Sequence, residues 1–171
     1  MKKMKKACAV LLAVLSVSLL TSAFAGSNSI VRWNRIDGVI TALNVDNPVG
    51  TIHSGTFPWS AESGQALVNL NTGATSFQVE GLVINGAVFS GTTGPITAVT
   101  GTLVCNPGPT QTNLNTASVA LDAQGDAHFT GKIANIPNQC DNPIFLIRIA
   151  VPVGAAGRWI ATGANRSILG P

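Results

Sequence analysis

From residue 30 onward the chain is a succession of short apolar runs, rich in Val, Ile, Leu, Thr and Phe, cut by clusters of Gly, Pro and Asn. A period of two sends neighbouring side chains to opposite faces of a strand, so these runs predict strands and the clusters predict turns. Residues 30–45 hold the first: Val39, Thr41, Leu43 and Val45 share one face, Ile40, Ala42 and Asn44 the other, with Asp37-Gly38 a tight turn or bulge before it. A second strand over 51–57 is broken by Phe57-Pro58-Trp59, because proline cannot donate to a ladder. Residues 65–70 and 75–85 form the next two, across the hairpin loop 71–74. In the latter, Phe77 and Val79 point one way while Leu82 and Ile84 fall on the opposite phase, which makes Gly81 a bulge or bend. Asn85-Gly86 turns into a short strand over 87–90.

The second half continues in the same manner. A strand over 96–105 stops at Asn106-Pro107-Gly108-Pro109. Residues 118–122 and 126–133 predict a hairpin across 123–125, with Ala127, Phe129, Gly131 and Ile133 inward and Asp126, His128, Thr130 and Lys132 outward. Residues 144–151 are apolar on both phases except at Arg148, the pattern of a central strand buried on both faces. Residues 157–163 give the last strand. After residue 25 no window carries the 3.6-residue period of a helix without Gly or β-branched interruption, and no fixed repeat is present. The expectation is an all-β domain, an antiparallel sandwich or closed barrel of about eight to ten short strands.

The first 25 residues read differently. Lys2, Lys3, Lys5 and Lys6 precede an apolar stretch over 7–20, and Ala23-Phe24-Ala25 is a small-x-small cleavage site: a signal peptide, cleaved to leave one domain over 26–171. The apolar stretch is short for a transmembrane segment. Four of the ten basic residues lie in this leader, leaving six against seven acids and a net charge of −1. The basic character of the whole chain is therefore the leader's, and no nucleic-acid partner is expected. The export signal places the domain in the periplasm or outside the cell. Two cysteines remain after cleavage, Cys105 and Cys140, and an oxidising compartment predicts a disulfide between them. A thiol nucleophile or metal-ligand pair would want a neighbouring His or a C-x-x-C spacing, and neither cysteine has one.

Candidate chemistry is sparse. The two histidines are His53 and His128, and Asp126 and His128 share one face of a predicted strand. A hydrolytic triad needs a third member, and no G-x-S-x-G elbow supplies it. Glu62 and Glu80 are the two glutamates a glycosidase-type pair would require, but one lies in a loop and the other on a strand. No cofactor motif or metal cluster is evident, so neither is expected. Asn165-Arg166-Ser167 fits a glycosylation pattern that a bacterial-type leader discounts. Trp33, Trp59 and Trp159 can stack on sugars if exposed, and pack in the core or at its rim if not. Arg148 within an apolar strand needs a charge partner, a route to solvent, or a bound anion.

Several phrases occur together: GVITALNV, FPWSAESGQALVNL, TLVC, GDAHF, IPNQCDNPIFLIRI and GRWIATGA. In this combination the chain resembles a family of small secreted, mostly bacterial β-proteins of uncharacterised activity. That family shares a cysteine after a T-L-x-C strand, a C-x-x-P-x-x-L-I-R strand and a terminal W-x-A-x-G. The resemblance spans most of 36–164 and implies a disulfide frame and a core strand; it implies no activity.

The functional expectation is an exported non-enzymatic β domain, a binding or structural module of the envelope or extracellular space. The first alternative is a carbohydrate- or envelope-binding module using exposed Trp33, Trp59 and Trp159, with Arg148 as an anion contact; polysaccharide or another envelope component is its expected partner. The second is a hydrolase working through Asp126/His128 or Glu62/Glu80. A pilus-type subunit would need a donor strand that the short polar lead after residue 25 does not offer.

Overall fold

The computed structural model describes residues 29–86, 88–151 and 155–169. The leader expected over 1–25 lies outside them. The described chain is all-β: β1 (Ile30–Gly38), β2 (Trp59–Ser60), β3 (Ser63–Asn69), β4 (Ala74–Glu80), β5 (Val83–Ile84), β6 (Ala98–Cys105), β7 (Thr112–Ala120), β8 (Ala127–Lys132), β9 (Ile144–Ala150) and β10 (Ala156–Leu169). Eight strands form one antiparallel sheet in the order β7-β6-β9-β10-β1-β3-β4-β8, and β2 and β5 pair separately. The sheet curls into a nearly closed barrel, with its edge strands β7 and β8 adjacent but joined by no ladder. Among the described residues no helix is long and apolar enough to cross a membrane.

The barrel interior is filled by rings. Trp33 on β1 meets Phe145 on β9 at 5.5 Å between centroids, Phe145 meets Phe77 on β4 at 5.7 Å, and Phe77 meets Phe129 on β8 at 5.7 Å. Phe145 and Phe77 come from opposite halves of the sheet, so their contact closes the barrel across its middle. Gly101 on β6 makes room for them: a Cβ there would stand 2.8 Å from both rings. Aromatic pairs of this geometry add about 0.5–1.5 kcal/mol each beyond their buried area.

Outside the barrel its two halves differ. On β4 and β8 the predicted alternation holds: Phe77, Val79, Ala127 and Phe129 are buried, and His128, Thr130 and Lys132 are exposed. On β6 and β9 both faces are buried; Leu146 and Thr102, on the face away from the ring row, are as inaccessible as Phe145. The cover is the segment 46–55. It is tied to β10 by the Trp159 indole N–H donating to the Asn47 carbonyl (2.9 Å) and by a parallel bridge between Ser54 and Trp159. It is tied to β7 and the turn before it by Gln111 and Asn113 donating to the Thr51 hydroxyl. A segment anchored on β10 and on β7 must cross β9 and β6, which lie between them.

Four strand expectations are corrected by this arrangement. The first strand is β1, upstream of 39–45. Those residues are a loop with Asn44 in the left-handed region (φ 62°) and Ile40 88% exposed. On β1, Asn34 and Arg35 are exposed and Arg32 half-buried, while Val31, Trp33 and Ile36 face the core. Residues 51–55 belong to this covering strap, 56 and 57 follow it, and the stretch makes only isolated bridges. Residues 88–90 form a turn, and Ala87 lies outside the described residues. The hairpin over 118–133 is splayed: Asp122 N–H donates to the Asp126 carbonyl at its turn, but β7 pairs with β6 and β8 with β4. Two further expectations concern strand ends. Gly81 (φ 62°) does end β4 where a bend was predicted, and β10 runs well past the predicted 157–163.

Cys105 and Cys140 form the expected disulfide, with Cα atoms 4.7 Å apart. It fastens the end of β6 to the segment leading into β9. The Asn106 amide N–H donates to the Asp141 carbonyl and the Asp141 N–H to the Asn106 side-chain oxygen (2.8 Å).

Candidate functional site

The three tryptophans are buried to 2, 3 and 4% exposure, so the sugar-stacking role expected of exposed rings has no surface to act from. Each has a packing role set by its strand. Trp33 begins the interior ring row and Trp159 is roofed by the strap. Trp59 on β2 closes one mouth of the barrel, its backbone N–H donating to the Val39 carbonyl (2.9 Å). Arg148 is half-buried on the strap side of β9, paired in register with Trp159 and Thr100. Its Nε donates to the Gly157 carbonyl (2.7 Å) and its Nη2 to the Ala156 carbonyl. Burial pushes its pKa down from the usual guanidinium range. These backbone carbonyls, freed by the irregular register at the start of β10, take the donors that an anion would otherwise take.

The strap carries an arrangement that no motif or spacing announces. Asp46 accepts from His53 Nδ1 (2.5 Å), from the Ser54 N–H (3.0 Å) and from the Ser54 hydroxyl (3.4 Å), with an Arg158 nitrogen 4.0 Å away. The hydrogen bond from His53 lowers the Asp46 pKa, with the Ser54 N–H and the charge of His53 adding to it and partial desolvation opposing. Asp, His and Ser are the residue types of a hydrolytic triad, but the connectivity differs. The Ser54 hydroxyl bonds Asp46, the Gly55 carbonyl and the Asn47 N–H, whereas a nucleophile must bond the histidine. The cluster folds the strap back on itself. Its members are seven and eight residues apart in a loop, so no strand or helix spacing announces it.

The predicted carboxylate sites come together in part. The Glu62 N–H donates to the Glu80 carbonyl (2.9 Å), which puts the two glutamates side by side at the start of β3 and the end of β4. Glu80 accepts from the Ser63 hydroxyl (2.8 Å), and Asp126 accepts from the Gly81 N–H (2.8 Å). Asp122 accepts from the N–H groups of Gln124 and Asp126, as a turn-capping carboxylate does. Asp126 and His128 line one surface hollow of about 490 Å³ together with Glu80 and Asp122. Each of these three acids already holds a backbone or hydroxyl donor.

A second hollow of about 240 Å³ adjoins it on the outer face of β1, β3, β4 and β8, lined by Arg32, Gln65, Leu67, Ser76, Gln78 and His128. The register explains it: Gln65, Gln78 and His128 stand abreast on β3, β4 and β8, and Arg32, Leu67 and Ser76 form the next row. Gln78 and His128 border both hollows, making one trough with an arginine at one end and carboxylates at the other. Among the described residues no group of three or more His, Cys, Asp or Glu is placed to hold a metal ion. Comparison with family models, with curated proteins and with solved structures finds no match to the chain.

Proposed function

We propose that the chain is an exported, non-enzymatic binding module of the envelope or extracellular space, and that it recognises a polar ligand through the trough on β3, β4 and β8. The observation that carries this reading is the amide pair Gln65 and Gln78 abreast of His128, on a face left bare while the opposite half of the barrel is covered. Side-chain amides and imidazole offer both donors and acceptors in fixed positions on a rigid sheet, which suits hydroxyl- and amide-rich ligands such as polysaccharide. The ring-filled interior supports a surface site over a ligand enclosed in the barrel. The resemblance to small secreted β-proteins supports export but adds no ligand.

The test is an amide and side-chain chemical-shift titration of the oxidised domain with envelope polysaccharide fragments. The expected result is saturable shifts confined to Gln65, Gln78 and His128 and their neighbours. Absence of shifts there across the panel, or shifts confined to other faces, would overturn it. A hydrolytic reading draws on the carboxylates of the same trough, and release of product from the same fragments would favour it. The structural commitments of Asp122, Asp126 and Glu80 weigh against it.

A further inference from the structure

The mouth of the barrel that β2 and β5 partly close retains a cavity of about 160 Å³. Its walls are apolar: Phe57, Trp59, Ile84, Phe89, Ile96 and Ile149. Phe57 and Phe89 meet edge to face at 6.1 Å at its outer side, and Phe89 and Val88 carry the apolar surface out to solvent. A cavity of this size, similarly walled, accommodates a benzene-sized molecule.

Two polar features make it more than a packing gap. Trp59 is 97% buried, yet its indole N–H has no hydrogen-bond partner among the described residues. Among the described residues the buried side-chain polar atom left without a partner is Gln111 Oε1, so the Trp59 nitrogen keeps accessible surface and can donate to a ligand. The space beside that nitrogen is open because residue 55 is glycine; a Cβ there would lie 3.5 Å from Nε1. The second feature is Arg158, half exposed at the cavity wall. One of its nitrogens bonds the Ser54 carbonyl (2.7 Å) and lies 4.0 Å from an Asp46 oxygen, and the other guanidinium donors make no bond among the described residues.

We infer that this mouth cavity is a binding site for a small carboxylate with an aromatic or short aliphatic body. The body fills the space between Ile84, Ile96 and Ile149, one ligand oxygen accepts the Trp59 N–H, and the charge is balanced by Arg158. The site is distinct from the trough and does not depend on it: the two lie on different parts of the barrel and take different chemistry.

The test uses benzoate and hexanoate as probes against the oxidised domain, with benzylammonium as the charge-reversed control. Wild-type protein is expected to show a saturable shift of the Trp59 indole N–H resonance in the millimolar range or below, with ligand-to-methyl contacts at Ile96 and Ile149. Benzylammonium should bind about tenfold more weakly than benzoate, and Trp59→Phe, which keeps the ring and removes the donor, should weaken benzoate about tenfold. Ile96→Phe should fill the cavity and abolish binding, its fold checked by unchanged Trp33 and Trp159 indole resonances. The inference is overturned by no saturable Trp59 shift with either acid, by ligand contacts at other residues, or by equal benzoate affinity in wild type and Trp59→Phe.

Discussion

The two halves of one sheet meet opposite fates on their outer faces. β6 and β9 are buried on both sides, by the ring row within and the strap 46–55 without. β3, β4 and β8 are buried on one side and bare on the other, where Gln65, Gln78 and His128 stand in register. The same backbone geometry thus gives a core layer in one half and a bare polar surface in the other. What separates them is whether a loop with acceptors in the right places crosses over. The covered half also carries the disulfide, at the end of β6. Stability is therefore concentrated where the sheet is sandwiched, and chemistry is left free where it is not.

The comparison is broken most severely at the interior rings, which both halves share. Phe145→Ala should cost about 3–5 kcal/mol, because it opens a cavity where rings from β1, β4 and β9 meet. Leu146→Ala, one residue along and equally inaccessible, should cost nearer 2 kcal/mol, since the strap can settle onto the gap more readily than a barrel wall can move. Denaturant melts of both variants check this; equal costs would mean that the strap is as rigid as the sheet. The disulfide ranks next. The chain-entropy model gives about 4 kcal/mol for closing a loop with a separation of 35 residues. Cys105→Ser with Cys140→Ser should lower stability by about 2–4 kcal/mol, read from the shift in urea midpoint. Hydrogen exchange should rise in β6 and β9 before it rises in β3 and β4.

How much of this was legible in the chain follows from the same contrast. The alternation of Phe77, Val79, Ala127 and Phe129 with polar neighbours gave β4 and β8 and their buried faces correctly, because a half-exposed strand writes its environment in a period of two. The apolar run of β9, interrupted by Arg148 alone, announced that both its faces were covered, and over 145–147 they are. What covers them could not be read, since the strap looks like a weak strand: Thr51 to Phe57 has strand-forming residues but only isolated bridges. Residues 39–45 misled for the same reason, their alternation being that of a loop with exposed Ile40, Leu43 and Val45. The partnering of β7 and β8 with β6 and β4 is a long-range choice to which the turn at 123–125 is indifferent. Core or rim packing of the tryptophans was one of the two alternatives read from the chain, and it is the one that holds; the polar residues flanking Trp33 and Trp159 face the opposite side of the strand or serve the strap.

The strap itself is the joint that acid should loosen. Asp46 receives His53, two bonds from Ser54 and the proximity of Arg158, and its pKa is held below the ordinary carboxylate value. A carboxyl whose folded pKa is depressed stabilises the fold above its unfolded pKa, and that contribution is lost as pH falls through the folded value. The expected outcome is that, as pH falls below about 4, amide exchange in 46–55 accelerates before exchange in β3 and β4. Asp46→Asn should show the fast-exchanging strap at neutral pH and little further change on acidification. A variant whose strap exchange still rises steeply with acid would assign the acid sensitivity to another group.

The smallest effect on stability is expected on the bare face, and it is the one that separates the halves most cleanly. Gln78→Ala and His128→Ala remove side chains that make no hydrogen bond or ion pair among the described residues and stand on the outer face of strands whose inner face is untouched. Substitutions of this kind generally stay within about 0.5 kcal/mol. Because Gln78 and His128 border both hollows, each change should nonetheless abolish or strongly weaken the polysaccharide-dependent shifts proposed for the trough. The double variant should melt with wild-type protein while losing its ligand response. If it instead loses more than about 1 kcal/mol, the row Gln65-Gln78-His128 is a cross-strand stabilising ladder, and the bare face owes its residues to folding. Unchanged stability with an unchanged ligand response would move recognition off the trough altogether.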